Sequence, residues 1–167
     1  MQLRHPSALD AFSLIETAVA AAITATFLGS LFTMNLATMD TIRGAKESIA
    51  ASQVLQQRME SLRIANWHEV TDASWLRDNL LNSDVAGSDL LKNKVETLTL
   101  VPYGSESVGN TQLTRSDETA TIVNQNSTLL AENAVKVIWT IDYTGVPNDS
   151  ARERQLVAIL AKGGVAK

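Results

Sequence analysis

Residues 17–39 form an uninterrupted stretch that contains no charged side chain and no proline. As an α-helix this stretch would rise about 35 Å, which is enough to cross a hydrocarbon core of about 30 Å. It is rich in alanine and also carries hydroxyl side chains such as Thr24, Ser30 and Thr33. Small and hydroxylated residues let membrane helices approach closely and form hydrogen bonds with one another. The pattern predicts a membrane-spanning helix that packs against other helices.

Residues 40–65 continue the helical pattern, with apolar side chains three or four positions apart and no proline. The apolar stripe consists of Ile42, Ala45, Ile49, Ala51, Leu55, Met59 and Leu62. Most charged residues lie off this stripe, and Arg58 is assigned to the polar face with them. This pattern predicts an amphipathic continuation of the helix, whose apolar stripe rests on a globular domain.

Residues 66–94 are predicted to be irregular or briefly helical. After residue 94 the apolar positions recur with a period of two. This alternation predicts strands over 95–101, 119–123, 135–143 and 154–161. The polar connection 105–118 is expected to be exposed. The strand 135–143 has one apolar face, on which Trp139 is expected to be a core side chain.

The order of these elements predicts an α+β fold. A long N-terminal helix, with a transmembrane half and an amphipathic half, packs on a small antiparallel sheet of about four strands. Residues 66–167 are expected to form one modest globular domain, which is what the length of the chain allows.

The amino-acid composition argues against several classes of function. The formal net charge of −4 and the scattered basic residues argue against a nucleic-acid partner. The chain contains no cysteine, so it forms no disulfide bond and no thiolate metal site. The domain must therefore be stabilised by packing alone.

A single carboxylate, Glu16, stands at the edge of the uncharged stretch. A charged side chain at the centre of a membrane helix costs about 2.5–3.5 kcal/mol, and less near an interface. A charged residue at such a position is therefore a candidate functional residue. At the start of a helix, the dipole also favours an anion.

The residues around Glu16 resemble a known N-terminal signal. The string Ala11-Phe12-Ser13-Leu14-Ile15-Glu16, next to the membrane-length stretch, is similar to the signal of the type IV pilin-like family. The resemblance implies a leader over residues 1–11, cleavage by a prepilin peptidase between Ala11 and Phe12, and N-methylation of Phe12. It also implies a filament-core helix over 12–39, in which Glu16 pairs with the new amino group of Phe12 on a neighbouring subunit.

The resemblance implies partners and a location as well. The partners would be the prepilin peptidase, other pilin or pseudopilin subunits, an inner-membrane assembly platform and membrane lipid. The subunit would cross the bacterial inner membrane once, with its C-terminal domain on the periplasmic side. Thr33 occupies a position where major pilins often carry proline, which favours a minor pilin or a type II secretion minor pseudopilin. Secretion, motility and DNA uptake remain open as the process served.

Two other interpretations of the N-terminus stay open. One is a cleaved secretory signal, after which the mature chain would begin near residues 21–23. The other is an uncleaved signal anchor that carries an exported binding or enzymatic domain. A secretory signal has a positive n-region and an uncharged apolar core, and Glu16 departs from that pattern. The flanking charges do not set the orientation, because Arg4 and Asp10 precede the stretch while Arg43 and Lys46 follow it.

Candidate catalytic chemistry is sparse. His68 is the only histidine outside the leader, and no G-x-S-x-G elbow or phosphate-binding loop accompanies it. Asp142, Asn148 and Asp149 are hard oxygen ligands near one turn, as a calcium site would need. Asn and Asp also favour turns for conformational reasons, and this ordinary turn chemistry is the favoured interpretation. The sequence predicts no catalytic residue, no metal and no cofactor.

Overall fold

The computed structural model describes residues 14–104, 109–116, 118–146 and 149–163. By its internal contacts the chain divides after Asp40 into an N-terminal unit and a C-terminal unit, Thr41–Lys167. One helix, α1, runs over Leu14–Ile64. This stretch contains no proline and only two glycines, so nothing in its sequence interrupts the backbone hydrogen bonding.

Short helical segments follow α1. They are α2 (Trp67–Thr71), α3 (Ala73–Trp75), a π-helical turn over Leu76–Leu81 and a 3₁₀ turn over Ser88–Leu90. Asn66 caps α2 in a capping box with Glu69, whose carboxylate accepts a hydrogen bond from the Asn66 amide at 2.7 Å. The sequence prediction of an irregular, briefly helical segment here is confirmed.

Five antiparallel strands form a single sheet in the order β3-β2-β1-β4-β5. Their bounds are β1 Lys92–Pro102, β2 Thr111–Ser116, β3 Thr119–Asn124, β4 Ala134–Gly145 and β5 Ser150–Ala161. A third 3₁₀ turn, Leu129–Ala131, lies between β3 and β4. The α+β prediction, a long N-terminal helix packed on a small antiparallel sheet, is confirmed.

The prediction of an exposed connection over 105–118 was wrong for its second half. Residues 111–116 form β2, which pairs with β1 so that Leu113 lies opposite Leu98. Thr111, Leu113 and Arg115 all point inward and are buried. Only one of these three side chains is apolar, so the sequence does not show the apolar–polar alternation that is typical of a strand. The sheet therefore has five strands instead of about four.

The core lies between one face of the sheet and the second half of α1. Its helix side chains include Ala51, Val54, Leu55, Met59 and Leu62. From β4, alternate residues from Val135 to Tyr143 point into the core, and Trp139 is fully buried among them, as predicted.

The apolar stripe predicted on α1 was wrong in its first part. Ile42 is 50% exposed, Ile49 is 57% exposed and Ala45 is exposed too. In this region α1 turns Gly44 toward β5 instead, where the Arg152 guanidinium donates to the Gly44 carbonyl at 3.5 Å. Periodicity identified an apolar face, but the domain contacts the opposite face.

Candidate functional site

Glu16 lies in the first turn of α1 and its side chain is exposed. The first turn of a helix carries unsatisfied amide groups and a partial positive charge, which stabilise a carboxylate there. The predicted cleavage site at Ala11 and Phe12 lies outside the described residues. The structure thus brings the predicted acid to a helix start and leaves its expected counter-ion undescribed.

The N-terminal part of α1 is covered with exposed apolar side chains. Leu14, Ile23, Phe27, Phe32 and Leu36 are all at least half exposed. The helix is long and apolar enough to cross a membrane, and it fits a single-pass membrane anchor. In water, so large an exposed apolar surface would be strongly unfavourable.

Hydroxyl side chains in this part of α1 bond to their own helix. Thr24 donates to the Ala20 carbonyl at 2.8 Å, and Thr38 donates to the Met34 carbonyl at 2.9 Å. Further bonds of the same kind are made by Thr17, Thr26, Ser30 and Thr33. These donors therefore need no partner in an apolar medium, and their small side chains still permit close approach of a second helix.

A second cluster, which the sequence reasoning missed, is buried in the C-terminal unit. Arg58 on α1 and Glu96 on β1 are each only 1% exposed. The Arg58 Nε donates to one Glu96 carboxylate oxygen at 3.0 Å, and Nη2 donates to the other at 3.3 Å. This two-point contact between a guanidinium and a carboxylate is the strongest form of such a pair.

Arg58 also satisfies backbone groups at the end of the π-helical turn. Its guanidinium donates to the carbonyls of Leu80 and Leu81, the latter at 3.3 Å. It donates in addition to the Ser83 carbonyl and hydroxyl, both at 2.9 Å. Because these carbonyls have no continuing helix to pair with, the arginine replaces the missing donors.

Arg115 on β2 completes the cluster from the other side. Its Nη1 lies 3.8 Å from Glu96 and donates to the Ser83 carbonyl at 2.9 Å. Its Nη2 donates to Asp84 at 2.9 Å, and that aspartate is 88% exposed while Arg115 is 2% exposed. The hydrogen bond from Arg115, with its positive charge, lowers the pKa of Asp84. The cluster therefore connects α1, β1, β2 and the segment 80–84, and its two arginines face two acids.

The sequence did contain a signal for these residues. Arg58 stands three or four positions from Val54, Leu55 and Leu62, so it occupies the buried face of α1. In β1 the inward alternation that includes Leu98 also includes Glu96, and in β2 the alternation through Leu113 includes Arg115. Charged residues thus occupy inward-facing positions on three elements. These positions in the periodic pattern predict a buried ion cluster, although charged residue types are usually exposed.

Among the residues that the structure describes, the other candidates do not converge on one site. His68 is exposed on α2. Asp142 lies on β4 opposite Glu153, Asp149 precedes β5, and Asn148 lies outside the described residues. Within the described ranges, no group of three or more histidine, aspartate or glutamate side chains could hold a metal ion.

A groove of about 400 Å³ lies between the end of α1, α2 and the end of β5. Its lining includes Leu62, Trp67, Val70 and Leu160, with Arg63 as its charged side chain. Neither a carboxylate nor a histidine is among the described residues that line it. The lining therefore contributes no acid–base pair.

Asp84 gives a pH-dependent prediction. A carboxyl whose pKa is lower in the folded state stabilises the fold above its unfolded pKa, and this contribution is lost as the pH falls toward the folded value. Asp84→Asn is therefore expected to be less stable than wild type at pH 7, with the difference shrinking below the ordinary aspartate pKa of 3.8. Urea midpoints at several pH values measure the difference. Asp89→Asn, an exposed aspartate outside the cluster, is the control, and a difference that persists unchanged at pH 2 would contradict the assignment.

Comparison of the chain with protein-family models, with curated proteins and with solved structures found no match.

Proposed function

We propose that the chain is a structural subunit, a minor pilin or pseudopilin, of a filament of the type IV pilus or type II secretion kind. The observation that carries the proposal is an acid, Glu16, in the first turn of an exposed membrane-length helix, directly after the string Ala11–Ile15. A cation on a neighbouring subunit would stabilise an acid at that place, and cleavage before Phe12 would create one.

The proposed chemistry runs in three steps: hydrolysis, N-methylation and charge pairing. A prepilin peptidase hydrolyses the peptide bond between Ala11 and Phe12 on the cytoplasmic side, which leaves a free amino group on Phe12 that is then N-methylated. In the filament, the Glu16 carboxylate of one subunit meets the Phe12 ammonium of its neighbour. Two opposite charges in an apolar core offset each other's loss of hydration, whereas either charge alone would be strongly unfavourable.

The remaining parts of the molecule are consistent with such a role. The hydroxyls of α1 are satisfied within the helix, so its small side chains can pack against neighbouring helices. The sheet is held to α1 by a packed core and an internal ion cluster. In the proposed arrangement the subunit crosses the inner membrane once and its C-terminal domain is periplasmic, in contact with other subunits and the assembly platform.

Mass spectrometry of the N-terminus tests this proposal. The full chain is expressed in cells with an active prepilin peptidase and purified from the membrane fraction. The expected mature form begins at N-methylated Phe12 and lacks residues 1–11. Ala11→Leu, which places a bulky side chain before the cut, is expected to keep the leader and serves as the matched control.

Other termini would contradict the proposal in different ways. A wild-type chain that keeps Met1 would indicate an uncleaved signal anchor. A chain that begins near residues 21–23 and leaves the membrane fraction would indicate a secretory signal.

A further inference from the structure

The second half of β5, residues 155–161, is a free edge of the sheet and is here called the open edge. β5 is the last strand of the sheet and pairs only with β4. The Lys162 amide donates to the Asn133 carbonyl at 2.7 Å, which continues the β4–β5 register and assigns the even-numbered residues to hydrogen bonds with β4. The amides and carbonyls of the odd-numbered residues therefore point away from the sheet, and these residues are Gln155, Val157, Ile159 and Ala161. Among the described residues, no other element forms backbone hydrogen bonds with them.

The open edge lacks the features that usually protect an edge strand from further pairing. Such strands are short, bulged, or interrupted by proline or charged residues. Residues 155–161 have the sequence QLVAILA, without a charge or a proline, and the register with β4 runs through β5 without a shift. At the opposite edge, β3 has only 6 residues and its pairing with β2 shifts near Leu113. One edge of the sheet is thus protected, and the other is open to a further strand.

The apolar groove at the end of α1 adjoins the open edge. Its lining includes Ile159, Leu160 and Ala161 of this edge, together with Leu62 of α1 and Trp67 of α2. A strand that pairs with β5 would place every second side chain on the side of the sheet that faces α1, where this lining lies. In strand addition of this kind, main-chain hydrogen bonds supply affinity and pockets for alternate side chains supply specificity. The open edge and the groove therefore fit an extended peptide segment.

The charge beside the groove indicates the composition of such a segment. Among the described lining residues, Arg63 alone is charged, and its side chain is 60% exposed. Its ion pair with Glu60 is long, at 3.8 Å, and an exposed pair of this kind contributes little stability. A carboxylate of a bound segment can therefore replace Glu60. The complementary segment carries apolar side chains at alternate positions and one acidic residue close to the end of α1.

We propose that the open edge and the groove bind an extended, apolar segment of another protein, with one acidic residue, as a sixth strand of the sheet. The backbone of the segment bonds to the outward amides and carbonyls of β5, its apolar side chains enter the groove, and its carboxylate meets Arg63. The inference goes beyond the proposed filament role and does not depend on it, because every residue of the site belongs to the C-terminal unit.

Fluorescence polarisation with a labelled peptide tests the site. The probe is a peptide of about six residues, the usual length of a strand, in which valine alternates with threonine and the last residue is glutamate. It is expected to bind saturably to the detergent-solubilised full chain. The matched control is the same peptide with N-methylated amides, which keeps the side chains but lacks the backbone donors. This control is expected to bind about tenfold more weakly or less. Absence of saturable binding, or equal binding of the two peptides, would overturn the proposal.

A pair of substitutions tests the backbone of β5 itself. Val157→Pro removes an amide that points to the free edge and leaves the bonds to β4 in place, so it is expected to abolish peptide binding with little change in the urea midpoint. Val157→Thr also removes the aliphatic side chain but keeps the amide, and it is expected to retain binding. Equal binding to Val157→Pro and Val157→Thr would contradict strand addition, and the N-methylated peptide gives the same answer without any change to the protein.

Arg63→Gln tests the charge. It is expected to weaken binding of the glutamate peptide by about two- to fivefold, as an exposed pair would, and to leave binding of the corresponding glutamine peptide unchanged. Equal effects on the two peptides would contradict the predicted acidic residue.

The remaining outcomes identify a different occupant of the edge. A dimer of the chain that Val157→Pro dissociates, in place of peptide binding, would indicate a second copy. Peptide binding that appears only after removal of residues 164–167 would indicate the end of the chain itself. Either result would overturn the proposal. Binding is also expected in the Ala11→Leu background, so a failure of leader cleavage and a failure of strand addition are separate results.

Discussion

Replacement of Glu96 by glutamine is expected to lower the free energy of unfolding of the C-terminal unit by about 3–5 kcal/mol. Glutamine has nearly the same shape as glutamate, so packing is retained while the negative charge is lost. Arg58 and Arg115 would then be two buried cations without the anion that lies 3.0 Å and 3.8 Å from them. A loss of this size is a large part of the 5–15 kcal/mol that is typical of a domain.

Urea denaturation of the detergent-solubilised full chain measures this loss, with the fluorescence of the buried Trp139 as one reporter of the core. Asp78→Asn is the matched control, because Asp78 also pairs with an arginine, Arg77, at 2.7 Å but on the exposed surface. Exposed pairs contribute little, so this control is expected to unfold close to wild type. An equal effect of the two substitutions would contradict the importance of burial.

A double-mutant cycle separates the pair from its members. Arg58→Met alone leaves the Glu96 carboxylate with only Arg115, 3.8 Å away, and removes the hydrogen bonds that Arg58 donates to the carbonyls of Leu81 and Ser83. The double variant Arg58→Met/Glu96→Gln removes both charges, and Arg115 keeps Asp84 as its partner. Its loss of stability is therefore expected to be smaller than the sum of the single losses. Simple additivity would show that the two side chains act independently.

The sequence predicted the elements in which apolar and polar residues alternate most regularly. β4 is the clearest example, since Val135, Val137, Trp139, Ile141 and Tyr143 all point into the core as expected. β2 could not be found in the same way, because Thr111 and Arg115 share its inward face with only one apolar residue. The burial of Arg115 depends on groups that the alternation does not show, because its guanidinium donates to Ser83 and Asp84, which are 32 and 31 residues away in sequence.

The exposed residues Ile42, Ala45 and Ile49 of α1, together with the buried Arg58, show a second limit. A helical period identifies which residues share a face, but it does not say whether that face meets the same chain or another molecule. The helical pattern places Arg58 on the polar face of α1, because charged residues are seldom buried without a partner. Its partner, Glu96, is 38 residues away, and only the tertiary fold brings the two together.

The predicted assembly site depends on local sequence, which is why it could be proposed at all. Glu16 is close in sequence to the proposed cleavage site, and its place in the first turn of α1 follows from the helical pattern after it. The counter-ion is different in kind, because it belongs to a neighbouring subunit in the proposed filament. No single chain can present that contact, so mutagenesis has to test it.

Glu16→Ala is expected to abolish filament assembly while membrane insertion is retained. Without the carboxylate, each buried Phe12 ammonium of a neighbour would lack a partner, at a cost of about 3–5 kcal/mol. This corresponds to roughly 10²–10⁴-fold weaker association at every subunit contact. Insertion depends on the apolar stretch 17–39, which the substitution leaves unchanged.

The decisive comparison uses variants that differ in charge but hardly in shape. Glu16→Gln is expected to fail in assembly as Glu16→Ala does, since it keeps the size of the side chain and loses the negative charge. Thr17→Ala, a neutral change at the next position, is expected to assemble, because the Thr17 hydroxyl bonds only to the Leu14 carbonyl of its own helix among the contacts described. Sheared-filament yield and membrane content are measured together for each variant. Normal incorporation of Glu16→Gln would refute the ion pair, since a neutral amide cannot replace the counter-charge that a buried ammonium requires.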